Sequence, residues 1–151
     1  MIDIDYLKYQ DQLKIKTIDN KRCIFDPLRQ KYLVLQPEEL VRQLMLIYFI
    51  QEKAYLKNRI SIERGIQVNT LKKRCDILIY DLDMNPFLLV ECKAPAVKIN
   101  QAVFEQIARY NLPLQVPYLL VSNGQKTYCC AMDYEANSFS FLTEIPDFPT
   151  S

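Results

Sequence analysis

Apolar and polar positions change their period several times along the chain, and each change marks an element. Leu13-Lys14-Ile15-Lys16-Thr17-Ile18 alternates in twos, Asp19-Asn20 is a turn pair, and Lys21-Arg22-Cys23-Ile24-Phe25 returns. This predicts a peripheral hairpin, to which Lys31 to Leu35 adds a short third strand. From Gln36 the period lengthens. Pro37 and the acids Glu38 and Glu39 suit a helix N-terminus, and Leu40, Leu44, Ile47, Tyr48 and Ala54 follow at helical spacing. Val41, Met45, Leu46, Phe49 and Ile50 widen that stripe, so a helix over 37–57 is expected to be buried on more than one side. Residues 60–68 read as a strand in which Gly65 permits a bend, and Asn69 to Lys73 as a turn. A second helix over 100–110 is capped by Asn100 and carries Val103, Phe104 and Ile107 on its apolar side. Residues 118–122 form a buried strand, and 125–132 with 138–142 a final hairpin around Glu135-Ala136-Asn137. Residues 1–12 carry no clear period, and the Pro-containing tail 145–151 is expected to fray.

Between these elements lies the stretch that carries the chemistry. Two apolar runs, Arg74 to Tyr80 and Phe87 to Lys93, flank the turn-forming Asp81-Leu82-Asp83-Met84-Asn85-Pro86 and predict an antiparallel hairpin. A turn centred between Asp83 and Met84 sets Asp76 opposite Glu91, and alternation adds Lys93 to their face, beside Leu78, Tyr80, Phe87 and Leu89. The other face carries Ile77, Ile79, Leu88, Val90 and Cys92. Both faces are apolar, as in central strands covered on both sides. Three ionisable groups in such a place have two readings. Paired carboxylates can hold Mg²⁺ or Mn²⁺ while a lysine steadies a phosphate or polarises a water. A Glu–Lys pair at a strand end, worth under about 1 kcal/mol, is the alternative.

Length and composition narrow the choices. The 151 residues suffice for one folded domain, divided here into a β extension (1–35), a core (36–130) and a C-terminal strand and tail (131–151). A net charge of +1 gives no global basic field. Lys14, Lys16, Lys21, Arg22, Arg29 and Lys31 make the N-terminal part the most basic, which reads first as a solvated face and second as a phosphate-binding one. The chain has no His, which removes Ser/His and Cys/His catalysis and the commonest zinc sites. Five cysteines without a CxxC pattern argue against a disulfide framework and for reduced thiols in the cytoplasm. Nothing at the start resembles a signal peptide, and the apolar stretch 44–50 is too short to span a membrane.

Asp76, then Glu91-Cys92-Lys93 after a short turn, then a helix holding Gln106-x-x-x-Tyr110, resembles the PD-(D/E)xK nuclease superfamily. More narrowly, the chain resembles the N-terminal nuclease domain of type I restriction enzyme R subunits over about residues 35–130. The resemblance implies an α/β, restriction-endonuclease-like three-layer core, a mixed central sheet flanked by helices, with hairpins added at both ends. It implies a Mg²⁺-dependent DNA endonuclease, with Mn²⁺ as substitute, in which Asp76 and Glu91 hold the metal and Lys93 orients or activates the water. Gln106 and Tyr110 match the helix motif that supports the site, and Glu39, ahead of Glu38, would be the metal acid supplied by the first helix. Two departures stand out. Cys75 replaces the motif's proline, and with only Gly65 and Gly124 the chain has no GxxxxGK[ST] phosphate loop and hence no motor. A restriction or helicase partner protein is the implied complement, and a non-catalytic nucleic-acid-binding or assembly module is the alternative function.

Overall fold

The computed structural model describes residues 1–62, 65–68, 71–74 and 76–149, with 65–68 and 71–74 described through their backbone alone. After a 3-10 turn at Tyr6–Gln12, β1 (Ile15–Ile18), β2 (Lys21–Asp26) and β3 (Lys31–Val34) form an antiparallel sheet in sequence order. Asp19 and Asn20 both take positive φ, 51° and 66°, which matches a tight turn to the strand twist. Helix α1 (Pro37–Gln51) follows, then a 3-10 turn and the strands β4 (Ile60–Ile62), β5 (Gly65–Val68), β6 (Leu71–Arg74), β7 (Ile77–Tyr80) and β8 (Pro86–Cys92). Helix α2 (Gln101–Asn111) leads to β9 (Tyr118–Ser122), β10 (Thr127–Asp133) and β11 (Ser138–Phe141).

Six of these strands form the central sheet, in the order β11-β10-β9-β8-β7-β4. It is mixed: β8 and β9 run parallel, and the other pairs are antiparallel. A parallel pair needs a crossover, and α2 with its flanking segments supplies it. The sheet is covered on both faces. On one, Ile77, Ile79, Leu88, Val90, Cys92 and Leu120 pack with Val41, Leu44, Met45 and Phe49 of α1. On the other, Leu78, Leu89, Leu119, Val121 and Cys130 pack with Phe104 and Ala108 of α2. The chain is thus an α/β protein with a three-layer core, as the periodicities and the resemblance imply.

Four expectations need correction. The strand over 60–68 divides, because β5 leaves the central sheet and pairs with β6, where a turn was expected; Asn69 and Thr70 lie outside the described residues. The long helix stops at Gln51. Ala54 turns to φ 53°, the Tyr55 amide donates to the Phe49 carbonyl at 2.9 Å, and the Tyr55 ring stacks on Phe49. Phe87 does not share the Leu89 face, since a register shift between Ile79 and Tyr80 pairs Tyr80 with Pro86 and sends Phe87 into the α1-side core. Both chain ends are tied down. Ile2 bridges to Thr127, the Tyr6 hydroxyl meets the Thr127 hydroxyl at 3.1 Å, and Tyr6 and Tyr9 are buried. In the tail, Lys53 Nζ donates to the Ile145 carbonyl at 2.8 Å, Tyr55 donates to the Pro146 carbonyl, and Phe148 packs against Tyr55 and Phe87.

A docked tail predicts a measurable cost. Ile145 is 2% exposed, so Ile145→Ala should lower unfolding stability by about 2–4 kcal/mol in a urea titration. A change within a few tenths of a kcal/mol would mean that the segment contributes nothing to the core.

Candidate active site

The predicted register is observed from Ile77 to Ile79. Ile77 pairs with Val90, Leu78 with Leu89 and Ile79 with Leu88, so continuing one step places Asp76 opposite Glu91. Asp76 sits in the bend just before β7, and its carboxylate is held at both oxygens. Oδ2 accepts from the Cys92 amide at 2.7 Å, and Oδ1 accepts from Arg42 Nη2 at 3.2 Å. Cys75, the residue standing in the proline position, lies outside the described residues. Glu91, at the end of β8, is two-thirds covered; its Oε1 lies 3.7 Å from Lys93 Nζ. Its other oxygen, Oε2, is buried without a hydrogen-bond partner. Lys93 is anchored through its backbone, the amide donating to the Ser122 carbonyl of β9 at 2.8 Å.

Helix α1 reaches this end of the sheet with its first turn. Spacing of three and four puts Glu38 and Glu39 on the side of Arg42. Arg42 Nη1 donates to Glu39 Oε1 at 2.5 Å, and Nη2 stands 3.6 Å from Glu38 Oε1. Glu39 is otherwise engaged: it also accepts from Gln43 Nε2 at 3.0 Å and from Arg29 Nη2 at 3.2 Å. Arg29 Nε in turn donates to the fully buried Asp26 at 2.6 Å, while the Leu28 and Arg29 amides donate to the other Asp26 oxygen. The expected helix acid, Glu39, is therefore built into an ionic network, and the half-exposed Glu38 is the acid that senses the pair at the sheet. Burial and the neighbouring Asp76 push the Glu38 carboxyl up, against the pull of Arg42 and Lys93. Burial also raises Glu91; Lys93 opposes the rise, and Asp76 and Glu38 add to it.

Gln106 and Tyr110 lie on α2, which covers the opposite face of the sheet from α1. Both side chains are exposed on α2, Tyr110 to 67%, and neither is hydrogen-bonded to Asp76, Glu91 or Lys93. The residue that spacing missed is Arg42. Its signal was present, an arginine inside the Val41 to Leu46 stretch of a helix read as buried on more than one side, three and four positions after two glutamates.

A family profile described as "Type I restriction enzyme R protein N terminus" matches residues 37–146. The chain belongs to this type I restriction enzyme R N-terminal family. No curated protein matches it. Among solved structures, it is similar to a fragment assigned as an HsdR subunit of a type I restriction enzyme from Vibrio vulnificus, at 20% identity and a TM-score of 0.44. That alignment covers 68% of this chain and 22% of the other, so the chain spans about a fifth of that structure's length.

In this restriction-enzyme-related domain the carboxylates suit a hard divalent cation in donor chemistry, and the orphaned Glu91 Oε2 is the kind of atom such an ion would satisfy. The Asp76 oxygen nearest to hand is bonded to Arg42. Among the described residues no three acidic or cysteine side chains stand close enough together to share an ion. Among them, too, no helix is long and apolar enough to cross a membrane.

The network that fixes α1 should show a pH signature. Burial alone would raise the Asp26 carboxyl, but the Arg29 amide and guanidinium outweigh it and the group lies below the ordinary carboxylate range. Its folded pKa is depressed, so its contribution is present above the unfolded value of about 3.9 and is lost as pH falls through the folded value. Asp26→Asn should therefore cost about 1–3 kcal/mol at pH 7, with the difference from wild type closing below about pH 4. Urea unfolding at both pH values checks this; a cost independent of pH would assign it to packing.

Proposed function

We propose that the domain is a Mg²⁺-dependent DNA endonuclease of the restriction-enzyme R type, acting in the cytoplasm with a motor supplied by a partner. The observation that carries this reading is Glu91: a charged group placed by an apolar sheet beside Asp76 and Lys93, with one buried oxygen unsatisfied. A carboxylate left so costs stability, and a cation at that oxygen is what removes the cost. Asp76 Oδ1 and Glu91 would be the ligands, and Glu38 is the helix acid whose charge couples to Asp76. An ion held there would supply polarisation of the phosphate and a lowered pKa for the attacking water. The chain's own groups do the rest. Asp76 Oδ2, tied to the Cys92 amide, fixes the carboxylate so that the other oxygen faces Arg42. Lys93 Nζ, beside Glu91 and a third exposed, holds a phosphate oxygen or the incoming water. Arg42 Nη2 occupies Asp76 Oδ1, so that oxygen would serve an ion only once the guanidinium has left it.

The guanidinium also favours a second reading. Arg42 already neutralises Glu39 and Asp76, as it would in a nucleic-acid-binding module that has no need of metal.

Three variants separate the readings. Because the Glu91 charge is a burden on the metal-free fold, Glu91→Gln should unfold at the wild-type temperature or above, while losing the upward shift that Mn²⁺ gives the wild type. A ligand at a hundredfold excess over its Kd stabilises the folded state by about 2.7 kcal/mol, an easily read shift. Lys93→Ala should keep that shift yet nick supercoiled plasmid about a hundredfold more slowly or worse. Asp76→Asn should lose both and lose stability too, because Arg42 is left facing a neutral group. A wild-type midpoint unmoved by millimolar Mn²⁺, with no nicking, would leave the binding module in front.

A further inference from the structure

The basic residues of the small sheet take no part in the site above. Six of the chain's nineteen lysines and arginines lie between Lys14 and Lys31, against two acids, in a chain of net charge +1. Arg29 is bonded to Asp26 and Glu39. Lys14, Lys16, Lys21, Arg22 and Lys31 are exposed and make no salt bridge among the described residues.

Register shows which of them share a face. Lys16 pairs with Cys23 and Cys23 with Val34, Ile18 pairs with Lys21, and Phe25 pairs with Tyr32. The Phe25 amide donates to the Lys14 carbonyl, which extends the same ladder by one step. Alternation then places Lys14, Lys16, Lys21, Phe25 and Tyr32 together. The two rings pack at 5.1 Å between centroids, with Lys16 Nζ 4.2 Å from the centre of Tyr32 and Lys14 Nζ 5.6 Å from that of Phe25. An aromatic ring holds an ammonium in place and leaves its charge intact, whereas a carboxylate would cancel it. Like charges brought together on one face repel, so the surface is complementary to a polyanion.

We propose that this face, with Lys14, Lys16 and Lys21 around the Phe25–Tyr32 pair, is a contact surface for the phosphodiester backbone of DNA. The assignment rests on the DNA-acting reading of the domain and names where the duplex is held. Continuity with the site supports it. Asp26 closes β2, bonds Arg29, and is linked through Glu39 and Arg42 to Asp76, so the basic sheet and the carboxylates are fixed to each other by consecutive ionic hydrogen bonds. The surface lies at residues 14–32, outside the family match at 37–146.

The test is anisotropy of a labelled DNA duplex in EDTA, where cutting is blocked, at several salt concentrations. The proteins are wild type, the triple variant Lys14→Gln/Lys16→Gln/Lys21→Gln, and the single variant Lys16→Gln. Each phosphate contact contributes about 0.9 to the slope of log affinity against log salt. The triple variant should lower that slope by about 2–3 and weaken binding at low salt at least tenfold, and Lys16→Gln should lower it by about 1. The single variant keeps the proposal decidable should the triple one fold poorly. An unchanged slope in both variants, or a wild type that does not bind DNA, overturns the proposal. So does displacement by polyglutamate as efficient as by unlabelled DNA at equal charge, which would assign the face to an acidic protein. Plasmid nicking, scored separately, keeps the two readings apart: charge-sensitive binding without nicking sinks the nuclease and upholds this surface, and nicking with charge-insensitive binding does the reverse.

Discussion

Five charges of alternating sign, Asp26, Arg29, Glu39, Arg42 and Asp76, hold the parts of this protein in register. The first lies on the small sheet, the third and fourth on α1, and the last at the threshold of β7. The interior members are well covered, Arg42 and Glu39 at 4% and 9% side-chain exposure, so each is affordable only because both its neighbours are present. Hydrophobic packing sets α1 on the face of the sheet, but packing is tolerant of small slides. The ionic series is directional, and it decides which turn of the helix meets the strand ends.

Much of this was legible in the sequence because period and turn chemistry are local. The alternation of Ile77 to Tyr80 against Phe87 to Val90, with Asp81 to Pro86 between, fixed the register that sets Asp76 against Glu91. That inference extended one residue too far at Phe87, where a bulge reverses the alternation, and a bulge leaves no mark in a run that is apolar throughout. The helix end at Gln51 was hidden for a related reason. It is made by Ala54 in a left-handed conformation, a choice enforced by the stacking of Tyr55 on Phe49 and not by a glycine. The docking of Ile2, Tyr6 and Ile145 depends on contacts between distant parts of the chain, about which local pattern is silent. The same holds for Glu38 and Glu39: adjacent residues on a helix face about 100° apart, and it is the positions of Arg29, Arg42 and Gln43 that draw Glu39 into the network.

Glu91 is where stability and function part company. The strand that carries it is otherwise among the best buried of the sheet, from Phe87 to Val90 and on to Cys92. A neutral residue would suit the fold at least as well, and Lys93 offers only a partial remedy at 3.7 Å. Arg42 presents the complementary case, a residue that stabilises the resting arrangement and stands in the way of an ion. On the proposed reading, the two together would make a site held in check by its own scaffold.

The backbone bond from Lys93 to Ser122 has a mechanical consequence. It extends the parallel pairing of β8 and β9 past Cys92, so Glu91 and Lys93 both lie on a segment held to β9 through its backbone. Glu38 and Arg42 ride on the opening turns of a helix whose N-cap, Gln36, makes no side-chain capping bond. The two sides of the site are therefore held by different means: the sheet side by backbone hydrogen bonds, which no single side-chain substitution removes, and the helix side by ion pairs, which one substitution breaks.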